Sequence, residues 1–251
     1  MSEKKAATKA NPKVAFVTGG GIGLGKTLVE EFLREGYSVA FTYRTEHEFV
    51  KTAPQKYKNR VLPIKADASD FSQVTASVEQ AISKFQQIDV LVNNASSTKD
   101  GPLDRCTPEG FDYTMRNTLF PVFNYSKVVS EYMKQAGHGK IINIGSVNGI
   151  HGREGSVGYT TAKAGIIGFT KTIAKELGKY PINCNVVAPG YIATEGQEKT
   201  SELIKKLVLS ECYIKRLSDP IAICNMVLFL ASEKADNITG QVFQVDCGQW
   251  I

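Results

Sequence analysis

The feature that most restricts the fold is an alternation that begins at Val14 and runs to the end of the chain: short β-branched or apolar runs separated by longer amphipathic stretches. Runs at 14–18, 38–43, 61–66, 89–93, 140–145, 182–187 and 241–245 have strand length, and helical patterns occupy 23–35, 70–85, 108–134, 157–178 and 219–231. Strands alternating with helices in this way build a parallel sheet covered on both faces, so a doubly wound α/β architecture is predicted. Gly36, Gly139 and Pro181 punctuate the joints. No linker or internal repeat divides the 251 residues, whose 42% apolar content is enough for one large core. The expectation is a single domain over 13–251 behind a flexible basic tail at 1–12.

That tail accounts for most of the formal charge of +5, since it and its junction hold Lys4, Lys5, Lys9 and Lys13 against Glu3. No basic stripe recurs, so a nucleic-acid surface is not expected. The tail has no apolar core of its own, and no later apolar run has membrane-spanning length. Cys106, Cys184, Cys212, Cys224 and Cys247 are scattered, and His47, His138 and His151 do not cluster near them. Neither a disulfide framework nor a metal site is expected, and reduced thiols in the cytoplasm fit this usage.

Directly after the first strand comes Thr18-Gly-Gly-Gly-Ile-Gly-Leu-Gly25, followed by a helical pattern. Glycine serves where a turn is tight and where backbone must approach a pyrophosphate, and the helix N-terminus then offers its unpaired N–H groups to the anion. The second strand ends Tyr43-Arg44-Thr45. An acid there would accept from a free ribose 2′-hydroxyl, whereas an arginine pairs with a 2′-phosphate. NADP(H) is therefore the expected cofactor, with NAD as the alternative.

Tyr159 and Lys163 stand four apart at the head of a predicted helix, which puts both side chains on one face. A phenol ionising near ~10 is a poor catalyst at neutral pH, and a neighbouring ammonium is expected to lower it. Thirteen residues before the tyrosine, the apolar run Ile141-Ile142-Asn143-Ile144 ends at Gly145-Ser146, which places a hydroxyl at a strand's carboxyl end. Ser146 is then able to donate to the oxygen of a reacting carbonyl.

With these elements go Asp67 after the third strand, Asn93-Asn94-Ala95, Asn117, Asn185 and Pro189-Gly190-x-x-x-Thr194. In this order, from Val14 to Gly248, the sequence resembles the short-chain dehydrogenase/reductase family. The resemblance implies a single-domain Rossmann-type sheet of about seven strands in the order 3-2-1-4-5-6-7. It implies a catalytic set of Asn117, Ser146, Tyr159 and Lys163, with Asn117 holding a water that links Lys163 to solvent. It further implies cofactor contacts from Gly19, Gly21, Ile22, Gly23, Leu24, Arg44, Thr45, Asp67, Ala68, Asn94, Ala95, Tyr159, Lys163, Pro189, Ile192 and Thr194. Substrate contacts fall to Ser146, Asn148, Tyr159 and Tyr191. Homotetramers built through 108–134, 157–178 and the last helix and strand are also implied.

Within the family, Ile144-Gly-Ser-Val-Asn-Gly149, Tyr159-Thr-Thr-Ala-Lys-Ala-Gly-Ile-Ile-Gly-Phe169, Asn185-Val-Val-Ala-Pro-Gly-Tyr-Ile-Ala-Thr194 and Thr98-Lys99-Asp100 are similar to reductases of 3-oxoacyl thioesters, carrier-protein or CoA linked. A 3-oxoacyl thioester is accordingly the expected substrate and acyl carrier protein an expected partner, attracted by Lys134, Lys175 and Lys179. The stretch 190–216, polar and weakly periodic, is read as a lid over the substrate. Two other readings stand beside this one: a reductase of another ketone such as a sugar, polyol or steroid, and a dinucleotide-binding regulator without chemistry.

Overall fold

The computed structural model describes residues 12–193 and 202–250. Its strands are β1 (Val14–Val17), β2 (Ser38–Tyr43), β3 (Val61–Lys65), β4 (Val90–Asn93), β5 (Gly139–Ile144), β6 (Ile182–Pro189) and β7 (Val242–Val245). They pair in parallel throughout, in the order β3-β2-β1-β4-β5-β6-β7, as expected. Around them lie α1 (Gly23–Arg34), α2 (Glu48–Tyr57), α3 (Phe71–Phe85), α4 (Pro108–Thr118), α5 (Phe120–Ala136), α6 (Asn148–His151), α7 (Val157–Leu177), α8 (Glu202–Glu211) and α9 (Pro220–Ala231). The strand order reverses beside β1, and in open α/β sheets ligands bind at such a switch, beyond the carboxyl ends of the strands.

The two-residue period of the strands sorts their side chains into two cores. Ala15, Val17, Val39, Phe41, Val92 and Ile142 pack with α1 and α9, while Phe16, Ala40, Leu91, Ile141 and Cys184 pack with α3, α5 and the end of α7. Each large apolar side chain so buried contributes about 1.5–3 kcal/mol, which makes a sheet covered on both faces the stable arrangement. A polar seam crosses this interior. Asn93 Nδ2 donates to Asn143 Oδ1 (2.8 Å) and to Ser126 Oγ (3.1 Å), and Asn143 Nδ2 donates to Thr170 Oγ1 (2.8 Å). It ties β4 and β5 to α5 and α7 just below the carboxyl ends of the strands.

Two helical expectations are corrected. The pattern at 108–134 is not one helix: α4 gives way to α5 at Leu119, which keeps helical angles (φ −89°, ψ −46°). Pro121 has no N–H for the carbonyl of Asn117, and that carbonyl instead accepts the Ser97 N–H (3.2 Å), fastening the bend to the loop after β4. α2 has no counterpart in the sequence pattern, because Lys51, Pro54 and Lys56 interrupt it; Val50 and Ala53 are the residues it buries. The tail residues up to Ala10 and Asn11, like Thr194 and the middle of the 190–216 stretch, lie outside the described residues.

At the amino ends of the strands, Asp89 is buried and accepts the Val14 N–H (2.6 Å) and shares His138 Nε2 (2.9 Å). Lys13 pairs with Glu233 and Lys140 with Asp236. Lys134 and Lys179 flank the Tyr180 ring at this same end, and Lys175 stands in the last turn of α7.

Candidate active site

The loop after β1 is shaped to let an anion in. Gly19 has φ +65°, and a Cβ on Gly25 would stand 2.0 Å from the Gly19 carbonyl oxygen, so the first turn of α1 closes onto the loop only because residue 25 is glycine. The α1 N-cap, Ile22, supplies no side-chain cap, and no acid sits in the first turn. The N-terminal N–H groups are therefore left for a ligand of negative charge. Thr18 Oγ1 accepts the N–H groups of Asn94 and Ala95 (2.9 and 3.0 Å), and Asn94 Nδ2 returns bonds to the carbonyls of Thr18 and Gly19 (3.0 and 3.1 Å). These reciprocal bonds lock the glycine loop to the end of β4, where it forms one wall of a cleft.

The cleft is lined by Gly19, Ile22, Leu24, Arg44, Asp67 and Ala68 on one side and Asn94, Ala95, Ser97 and Asn117 on the other. Asp67 Oδ1 accepts from the backbone and hydroxyl of Ser69 (2.9 and 2.7 Å), which fixes the turn after β3. Arg44 reaches across the cleft to Asn117 Oδ1 (3.1 Å) and to Ser97 Oγ (3.5 Å). Both bonds are exposed, so the guanidinium is free to exchange them for a stronger anionic partner. A glycine cradle, an uncapped helix end and a carboxylate and guanidinium further along the groove fit a dinucleotide.

The chemistry lies where β5 ends. Ser146 is buried, its Oγ accepts the Asn148 N–H (3.2 Å), and its hydroxyl lies close enough to Tyr159 to draw the ionisation of the phenol down. Lys163, one turn along α7, is buried under the Tyr159 ring with Nζ 5.5 Å from the ring centroid, and it donates to the Ile144 carbonyl (2.6 Å). Burial pulls the Lys163 ammonium down to about 8. The same burial raises the Tyr159 phenol, against the pull of the Ser146 hydroxyl and with a small push from the Asp100 carboxylate. The expected depression of Tyr159 by Lys163 is thus not what this geometry gives: desolvation dominates, and the phenol holds its proton.

Beside the trio opens a cavity of about 420 Å³ lined by Ser146, Val147, Asn148, Tyr159, Tyr191, Ile192, Ile204 and Val208, with Asp100, Arg153 and Gln249 as polar wall. Arg153 Nη1 contacts both carboxylate oxygens of Glu211 (2.9 and 2.7 Å), Gln249 Nε2 donates to the same group (2.7 Å), and the guanidinium lies over the Trp250 ring (5.2 Å). These contacts hold α8 beside the cavity, which its Ile204 and Val208 line.

A family model described as short chain dehydrogenase matches residues 13–204. The chain belongs to the short-chain dehydrogenase family. Among its relatives, a 3-oxoacyl-[acyl-carrier-protein] reductase of Thermotoga maritima is 38% identical over 239 residues, covering 94% of this chain and 97% of that one. A protein of the same name from Staphylococcus aureus is 35% identical, with 95% and 98% covered. An acetoacetyl-CoA reductase of Shinella zoogloeoides is 34% identical, with 95% and 99% covered. As a short-chain dehydrogenase the chain is an oxidoreductase dependent on a nicotinamide dinucleotide. Among the described residues, no helix is long and apolar enough to cross a membrane.

Against the residue expectations for a short-chain dehydrogenase, the structure brings Ser146, Tyr159 and Lys163 together and places Asn148, Tyr191 and Ile192 around their cavity. Asn117 stands apart. Its side chain donates to the Tyr113 carbonyl (2.8 Å) and faces the dinucleotide cleft, with no hydrogen bond to Lys163. Gly21 is buried against Val50 and Tyr43, Gly23 supplies a positive φ, and Thr45 is exposed beyond Arg44; none of the three lines the cleft. Pro189 is buried and accepts the Val147 N–H (3.0 Å), holding the Ser146 turn rather than facing the cavity. Lys134, Lys175 and Lys179 are not brought to the cleft, since sixteen helical residues separate Tyr159 from Lys175, a rise of about 24 Å. Sequence reasoning missed Arg153, Glu211 and Gln249, which carry no local signal, whereas Gly25 stands in the sequence as the last glycine of the loop.

Proposed function

We propose that the protein is an NADPH-dependent reductase of 3-oxoacyl thioesters, working in the cytoplasm. The observation that carries this is the convergence of Ser146, Tyr159 and Lys163 beside a cavity walled by Val147, Ile192, Ile204 and Val208. The names of the relatives support the substrate class. Arg44 at the end of β2, with no acid at Tyr43, supports NADPH over NADH.

When bound, the nicotinamide supplies the hydride to the carbonyl carbon. The chain supplies the rest. Ser146 donates to the carbonyl oxygen and holds it, and the Tyr159 hydroxyl, still protonated at neutral pH, gives its proton to that oxygen as the alcohol forms. The phenolate left behind lies beside Lys163, whose ammonium, titrating near 8, stabilises it and returns a proton. Asn117 enters this scheme as the outer end of a relay whose link to Lys163 is made by water. Assembly as a homotetramer is part of the reading, supported by Phe120 and Phe123 exposed on α5, and by the edge strand β7 beside apolar α9, where Ile221 and Phe229 are exposed.

The test is NADPH oxidation with acetoacetyl-CoA, a 3-oxoacyl carrier protein, and a simple ketone or sugar, compared by kcat/KM. The thioesters are expected to lead; if neither outperforms the simple ketones, the substrate class is wrong. Tyr159→Phe is expected to lower kcat by at least about 10²-fold with NADPH affinity intact. Arg44→Asp is expected to reverse the cofactor preference, by roughly ten- to a hundredfold in affinity.

A further inference from the structure

Helix α7 carries Tyr159 in its first turn, yet its own N-cap does not cap it. Ser156 has φ −133° and ψ 48°, and its side chain makes no bond to the helix. The first N–H groups of a helix need partners. Here they come from a loop 58 residues earlier: Asp100 Oδ1 accepts the Gly158 N–H (2.9 Å) and Asp100 Oδ2 accepts the Tyr159 N–H itself (3.0 Å). The loop is in turn mounted on α4. The buried Thr114 hydroxyl accepts the Lys99 N–H (3.0 Å) and bonds the Lys99 carbonyl (3.1 Å), and the Lys99 ammonium lies over the Tyr113 ring (4.6 Å). Asp100 also lines the substrate cavity beside Tyr159 and Ser146.

We propose that Asp100 is a positioning residue for the catalytic tyrosine: it caps the catalytic helix from outside and sets the place of Tyr159 against Ser146. The proposal rests on the assignment of Tyr159 as proton donor. A second consequence follows from charge. The charged or titratable groups around the phenol are Lys163 on its own helix, Asp100 from the loop after β4, and, across the cavity, Tyr191 and the Arg153 already paired with Glu211. Asp100, which has no ion pair among the described residues and bonds the Tyr159 N–H, adds to burial in holding the phenol protonated, the form that can give a proton to a carbonyl oxygen.

The experiment compares Asp100→Ala and Asp100→Asn with the unmutated protein in kcat, NADPH affinity, thermal midpoint, and the pH at which Tyr159 ionises, read as phenolate absorbance against a Tyr159→Phe background. Asp100→Ala is expected to lower kcat by about 10–100-fold, the scale of a sub-ångström to ångström misplacement, with NADPH affinity within about twofold. Asp100→Asn keeps one acceptor oxygen and should recover part of that loss, while the ionisation of Tyr159 moves to lower pH in both variants because both lack the charge. If Asp100→Ala keeps kcat within about twofold, or if Tyr159 ionises in both folded variants at the same pH as in the unmutated protein, the proposal is overturned. Should Asp100→Ala not fold, the asparagine variant decides by the same two readouts. If the unmutated protein turns over no carbonyl substrate, the functional reading fails by itself, and the phenolate titration, which needs no substrate, still decides the role of Asp100.

Discussion

Lys163 shows how far a single position departs from what stability alone would select. A lysine buried to this degree resists holding its charge, and its displacement from 10.5 to about 8 corresponds to roughly 3 kcal/mol at about 1.4 kcal/mol per pH unit. Below about pH 8 both folded and unfolded chains carry the proton, so folding bears the full cost of burying the charge. As pH rises from about 8 toward 10.5, the unfolded chain holds more protons than the folded one, and stability contributed by this site increases. Lys163→Met is therefore expected to abolish turnover yet raise unfolding free energy at pH 7 by about 3 kcal/mol. Urea titrations of both proteins at a series of pH values check this: the gap between them should close across that window. An Lys163→Met protein no more stable than its parent at pH 7 would show that the ammonium is better solvated than its surroundings indicate.

Among the elements, the seam of Asn93, Asn143, Ser126 and Thr170 sets the sheet against the two helices that bear the site. Asn143→Val keeps the strand-forming shape but leaves the Asn93 amide and the Thr170 hydroxyl one partner short in a dry interior, a loss of roughly 2 kcal/mol. A urea midpoint unchanged from the parent would mean that the seam contributes only shape. This is also the scale at which the sequence is most and least readable. The seven strands can be read because each is a short apolar run between turn residues, and Ser146, Tyr159 and Lys163 because a strand end and a helical spacing place them. α2 is hidden by Pro54, and the bend at Leu119 by a periodicity that continues through it, its cause being one missing N–H at Pro121. The clasp of Arg153, Glu211 and Gln249 leaves no pattern at all, since its members stand 58 and 38 residues apart and meet only after the chain has folded. Asp100 is visible as part of a phrase, but nothing local to it announces a partner in α7.

At the scale of the whole molecule the sheet has two unlike ends. The cleft, the trio and the cavity gather at the carboxyl ends of the strands, while the buried Asp89 with His138 and the pairs of Lys13 and Lys140 close the amino ends. The first and last described residues fall on opposite sides of this division: β1 begins next to Lys13 at the closed end, whereas Gln249 stands in the wall of the substrate cavity and Trp250 packs on Arg153 beside it. For anyone anchoring the protein to a bead or an electrode, the two points of attachment are consequently not equivalent. A tether joined at Pro12 starts from the closed end and should leave kcat/KM as it is in free solution. One fused after Ile251 pulls on Trp250 and through it on Arg153, and should raise KM for the carbonyl substrate by about tenfold while NADPH affinity stays level. Equal performance of the two immobilised forms would mean that the last residues are a passive border of the cavity.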